Sequence, residues 1–331
     1  MTLTSTNGSR WSATAAALLA LGSLMPSIQH ANAQTAVPAS AQKPAAAETP
    51  RRESSFPAIN SGPWKGPRLP DGQPDVQGHW SNTIGNHSNF TDPQGGTPGE
   101  PRRADARPLP PREQRAPSRV SDPADGQVPF LPWARAKQEE FLANFHKPSK
   151  PEHIEPLARC APGGVPKSFM WHGYEIRQYP AYVVFLFDSG TRIIHLDGKP
   201  HLPDTIKLWN ADSRGHWEGN TLVVDVRNNN SKATFGRTGE FASDQVQVTE
   251  RYIFAPGGKR YNYVATFTDP TVYSRPWTAT IPARLYTAAD APDGWNFQVT
   301  KATHTGKDVI IEREEQICFE NNGGFGLGTK K

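Results

Sequence analysis

At 331 residues the chain has room for one large or two ordinary domains, and 36% apolar content with a mean hydropathy of −0.64 excludes a polytopic helical membrane protein. Its 36 basic and 32 acidic side chains leave a formal charge of +4 without a dense Lys/Arg block, so electrostatics point to no nucleic-acid partner. With 32 Pro and 28 Gly, long repeating helices are excluded as the main architecture.

The opening segment MTLTSTNGSRWSATAAALLALGSLMPSIQHANAQ has a polar start carrying Arg10, an apolar run from Ala13 to Met25, and a small-x-small site at Ala31-Asn32-Ala33. That order predicts a secretory signal peptide over 1–33 and a mature protein in the periplasm or secreted beyond it. The apolar run is too short for a comfortable span, and no later stretch approaches ~20 apolar residues, so no transmembrane segment is expected. Export in turn makes Cys160 and Cys318 an expected disulfide.

Residues 34–60, rich in Ala, Pro, Ser and Gln without hydrophobic periodicity, read as a disordered tether. From 61 to 128 the density of Pro and Gly predicts an irregular arm, pinned locally by Trp64, Val76, Trp80 and Phe90. The segment LPWARAKQEEFLANFHK at 131–147 begins with a proline and sets Trp133, Lys137 and Phe141 near one helical face. One amphipathic helix follows, expected to cap the later sheet because a short helix needs tertiary packing.

After Cys160 the texture becomes period-two runs between turns: EIRQY at 175–179, YVVFLF at 182–187, TRIIHL at 191–196, IKLW at 206–209, HWE at 216–218 and TLVVDV at 221–226. QVQVTERYIFA at 245–255, KRYNYVATFTD at 259–269, WTATI at 277–281, WNFQVT at 295–300 and DVIIER at 308–313 continue the series. Their connectors are hairpin-sized, as at Gly219-Asn220 and Pro256-Gly257-Gly258, and no helical pattern intervenes to make parallel crossovers. The expected fold is therefore all-β: an antiparallel meander closing into a lipocalin-like barrel or a sandwich over 129–321, because an open sheet would expose two edges. The glycine-rich stretch 322–331 reads as a tail.

Alternation along 245–255 puts Val246, Val248, Glu250, Tyr252 and Phe254 on one face. A carboxylate among apolar groups has its pKa raised by desolvation, which suits Glu250 to general acid or base work; a structural, paired glutamate is the competing reading. The next strand aligns Tyr261, Tyr263, Ala265, Phe267 and Asp269, ending an aromatic stripe on a second carboxylate that also marks a turn. His195, Asp197 and His201 cluster in IIHLDGKPH, where a neutral imidazole could meet a substrate at the rim. Their spacing matches no zinc or calcium motif, so no metal is expected. In DSRGHWEGNTLVVDV, His216 and Glu218 share a strand face while Trp217 takes the other. In YSRPWTATIP, Tyr273, Arg275 and Trp277 offer stacking and anion contact.

The ordered set DGKPH at 197–201, GHWEGNTLVVDV at 215–226, TERY at 249–252, DPTVYSRPWT at 269–278 and EEQICFEN at 314–321 resembles a widespread family of exported bacterial β-rich proteins, over roughly residues 130–321. Members usually carry Arg where this chain has His216 and Asp where it has Asn220. The resemblance implies a secreted β-rich domain and no particular reaction.

There is no G-x-S-x-G elbow, H-E-x-x-H, C-x-x-C-H, phosphate loop or Rossmann fingerprint, so no cofactor is expected. Three readings follow. In the first, an exported lyase, isomerase or hydrolase acts on a small organic ligand in a barrel pocket, with His195, Glu250, His216 and Asp269 as acid/base candidates and His201, Trp217, Tyr252, Tyr263, Tyr273, Arg275 and Trp277 as binding candidates. In the second, the protein is a periplasmic binding or carrier protein for an aromatic, lipid-like or sugar ligand. In the third, it is a structural or interaction domain. Oligomeric state stays open at this level.

Overall fold

The computed structural model describes residues 58–81, 89–93, 95, 108–154, 156, 161–170, 173–187, 190–285, 299–301 and 308–310, all within the unit Glu48–Lys331. The expected signal peptide, most of the tether, the tail and both cysteines lie outside them.

Where apolar and polar residues alternate most cleanly, the strands are longest. Gln247–Phe254 (β8), Arg260–Thr268 (β9) and Trp277–Leu285 (β10) pair in sequence order, burying every second side chain. Before them come Tyr174–Tyr179 (β3), Tyr182–Phe187 (β4), Gly190–His195 (β5), Asp212–Glu218 (β6) and Thr221–Arg227 (β7). The irregular N-terminal stretch supplies two short strands of its own, Gly78–Ser81 (β1) and Val120–Asp122 (β2).

β1 is the closing piece: it pairs with β3 on one side and β10 on the other, so the ring β1-β3-β4-β5-β6-β7-β8-β9-β10 is a closed nine-strand barrel. β2 lies beside the first half of β10, outside the ring. A ring with an odd number of strands cannot alternate direction all the way round; one pair must run parallel. That pair is β5–β6, in register at His195 and Arg214. Its connector, 196–211, replaces the expected strand at 206–209, where only an isolated parallel bridge joins Leu208 to Asn229. Val299–Lys301 (β11) and Asp308–Ile310 (β12) form a separate two-stranded sheet.

The inward residues fill the barrel with rings. Phe169, from the short 3-10 turn Lys167–Met170, projects into the middle and lies 4.6 Å from Tyr263, 5.4 Å from Phe185 and 5.6 Å from Tyr252 between ring centroids. Phe267 and Trp277 stack at 4.3 Å toward one end. Trp80 packs on Tyr261 at 4.9 Å toward the other.

The helix forms as expected, Pro132–Asn144 (α1), and caps the end where β8 and β10 begin. Its buried face is Ala134, Gln138 and Phe141. Trp133 instead sits on the rim, 51% exposed, with its indole N–H donating to the Thr271 carbonyl at 3.1 Å. At the opposite end the β6–β7 hairpin grips the arm. Gly219 has φ +61°, and a Cβ there would stand 2.1 Å from the Gly62 carbonyl oxygen, so only glycine fits both constraints. Asn220 accepts from Gly62 N–H at 2.7 Å and donates to the carbonyls of Asn60 (3.0 Å) and Phe254 (2.7 Å).

The expected disulfide needs correction. No disulfide bond is present among the described residues, Cys160 and Cys318 lie outside them, and the barrel is closed by β1–β10 backbone pairing.

Candidate functional site

Strand alternation carries Glu250 inward, as the sequence implies, and it is 0% exposed. The same parity turns Arg192 of β5 inward beside Ile194, and its guanidinium crosses the barrel to meet Glu250 as a fork, at 3.1 Å from Nη1 to Oε1 and 2.7 Å from Nη2 to Oε2. Small residues on β6 make the space: a Cβ at Gly215 would stand 2.7 Å from the Ile194 side chain. Ser213 Oγ accepts from Arg192 Nη2 at 2.9 Å.

Two tyrosines complete the network. Tyr263 donates to Glu250 Oε1 at 2.7 Å, and Tyr252 accepts from Arg192 Nη1 at 2.8 Å while donating to Glu250 Oε2 at 3.2 Å. Burial, reinforced for Tyr263 by the neighbouring Glu250 charge, pushes both phenols well above the usual tyrosine range. Burial works against the Arg192 cation, but Glu250 outweighs it and holds Arg192 above the ordinary arginine range. Glu250 is thus a salt-bridged carboxylate with every oxygen engaged. The cavity it lines, with Val165, Val226, Phe235 and Val248, measures about 10 Å³, room for a single water.

The other predicted residues do not converge on it. His195 lies on the outer face, edge-on to Tyr182 at 6.0 Å. His216 is exposed and pairs with Glu218 at 3.1 Å, which Arg251 also meets at 3.1 Å. Asp269 is buried in a turn, accepting from Ser243 N–H (2.7 Å), Thr271 N–H (3.1 Å) and the Thr271 hydroxyl (2.7 Å).

Among the predicted binding residues, Tyr252 and Tyr263 belong to the interior network, and the rest are held in structural contacts. His201 lies between two carboxylates, 2.8 Å from Asp212 and 3.3 Å from Asp225, and ties the 196–211 connector to β6 and β7. Burial disfavours the Asp212 carboxylate, but Arg214, the Leu202 N–H and His201 outweigh it and hold Asp212 below the usual range. Trp217 donates to Gln73 at 3.2 Å over Phe254. Tyr273 is buried with its hydroxyl donating to the Phe241 carbonyl at 2.7 Å, Trp277 is the stacked core ring, and Arg275 pairs with Asp122 at 2.7 Å on the surface.

Among the described residues, ligand-sized space lies outside the barrel. One cleft of about 390 Å³ runs between α1, the segment around Asn89–Asp92, and the loop carrying Thr238 and Glu240. Here Gln138 donates to the Thr238 carbonyl at 2.8 Å and accepts from Arg135 at 2.6 Å. The Thr238 hydroxyl lies 2.5 and 2.7 Å from the two oxygens of Glu240. Glu240 is 1% exposed, and burial raises its pKa despite that hydrogen bond and the charges of Arg135 and Lys167. A second cleft, about 490 Å³, lies over β2 and includes Arg119, whose guanidinium burial pushes down to about 9.

Among the described residues no group of three or more His, Cys, Asp or Glu side chains is arranged to hold a metal ion, and no helix is long and apolar enough to cross a membrane. Sequence reasoning missed Arg192 and Glu240. The parity of Arg192 with Ile194 was a readable signal for the first; Glu240 sits in a loop without periodicity and had none. Comparison with protein families, with curated proteins and with solved structures finds no match in any of the three.

Proposed function

We propose that the protein is an exported binding or carrier protein for a small organic ligand, and that the ligand sits in the cleft beside α1. The observation that carries this reading is the state of Glu250: the acid expected to do chemistry is sealed in a bidentate ion pair within a filled barrel, while His195 and His216 face outward. General acid/base catalysis needs a proton-transfer group within hydrogen-bond reach of the substrate, and a water-sized cavity admits none. The cleft beside α1, by contrast, falls within the size range of small-molecule sites, about 300–1,000 Å³.

The test is thermal unfolding of the mature protein against aromatic, lipid-like and sugar compounds, with calorimetry on hits and mass spectrometry of the recovered compound. A ligand at a hundred times its Kd should stabilise the fold by about 2.7 kcal/mol and be recovered unchanged. Conversion of any compound to product by the folded protein would overturn the reading. An interaction domain is the second reading, motivated by the exposed Tyr179, Tyr182 and Ile193; failure of every compound to shift unfolding would favour it.

A further inference from the structure

The wall of the α1 cleft restricts what it can hold. Asn89, Gln138, Thr238 and Glu240 line the cleft and are all buried, so its wall is polar even where side chains pack closely. An apolar or aromatic ligand finds little to pack on, since among the described residues Val128 and Leu142 are the apolar side chains there and no ring lines the wall. An anion finds Arg135 already donating to Gln138 at 2.6 Å and to the Val128 carbonyl at 2.9 Å, with the acidic Asp92, Glu139 and Glu240 around it. A cation fares no better: Asp92 is neutralised by Arg115 at 2.9 Å, burial favours the neutral form of Glu240, and the remaining carboxylate, Glu139, is solvated on α1 and shares the wall with the Arg135 cation.

Hydrogen-bonding capacity remains once charge is matched. The Gln138 amide uses one N–H in the bonds described, and Asp92 Oδ1 is buried without accepting a hydrogen bond among the described residues. Groups that both donate and accept, without charge, suit this wall. We propose that the cleft binds a neutral, hydroxyl-rich ligand of the sugar or polyol class. This rests on the reading of the protein as a binding protein.

The experiment is calorimetric titration of the full mature chain with neutral mono- and disaccharides, benzoate, an alkylamine and a medium-chain fatty acid. It uses wild type, Gln138→Leu, Thr91→Val, which removes the cleft-lining hydroxyl that donates to Asn89 Oδ1 at 3.3 Å, and the distant surface control His216→Ala, with folding of each checked by circular dichroism. A neutral saccharide should bind, with affinity lowered about tenfold or more in a folded Gln138→Leu or Thr91→Val and unchanged in His216→Ala. Saccharide binding that persists at full strength in both cleft variants overturns the assignment of the site. Benzoate, amine or fatty acid binding in place of saccharide, and lost in those variants, overturns the ligand class while leaving a binding protein. No binding by any compound overturns both.

Discussion

Two buried glutamates answer the same physical problem in opposite ways. Glu250, inside the barrel, is met by Arg192 across the interior in a bidentate ion pair, and two tyrosines and a serine complete the network. Glu240, at the wall of the α1 cleft, has a threonine hydroxyl against it and keeps its proton more readily than an exposed glutamate. Desolvation penalises both carboxylates. The partner decides the outcome: a guanidinium forks onto the carboxylate and seals the interior, whereas a hydroxyl leaves an acid with a raised pKa beside open space. Burial of an acid is therefore a poor pointer to chemistry until its partner is known.

The sharpest way to break this contrast is Arg192→Met, which strands the Glu250 charge and should cost about 3–5 kcal/mol in chemical denaturation. The double variant Arg192→Met, Glu250→Leu should recover most of that loss; if it unfolds as readily as the single variant, packing rather than stranded charge sets the cost. Tyr263→Phe removes one donor to the carboxylate and should cost about 1.5–3 kcal/mol.

Glu240→Gln should do the reverse of these and raise stability at neutral pH. The folded chain holds the Glu240 proton more tightly than the unfolded chain does. That stabilising contribution is whole below the ordinary glutamate range and fades as pH rises through the higher folded value, with a slope of at most about 1.4 kcal/mol per pH unit. The variant should flatten the wild-type decline, read as unfolding midpoint against pH. A decline of equal slope in Glu240→Gln would assign it to another group. The smallest effect should come from His216→Ala, whose contact to Glu218 is exposed: no resolvable shift of the unfolding midpoint by the same assay.

Much of the barrel was legible because one face of each strand is buried. The inward set Val248, Glu250, Tyr252 and Phe254 is the one that alternation gives, and β9 and β10 follow in the same way. What escaped was non-local. β1 offers four residues, GHWS, too few for a period, and its identity as a barrel strand comes from partners far along the chain. The parallel β5–β6 pair follows from the count of strands in the ring, which no local window holds. The site was harder still. Arg192 and Glu250 lie on strands separated by β6 and β7, and the α1 cleft is assembled from a helix and two loops with no shared pattern.

The closing strand also sets an order of events. Trp80 of β1 pairs with Leu285 of β10, about two hundred positions later, so ring closure carries a large loop-entropy cost and comes after the local hairpins β3–β4 and β6–β9. β1 can pair with β3 before β10 is in place, but until it also docks on β10 the end of that strand presents a bare edge of the kind that recruits other strands. The arm that looks least organised in the sequence is thus the segment that covers the last open edge of the ring.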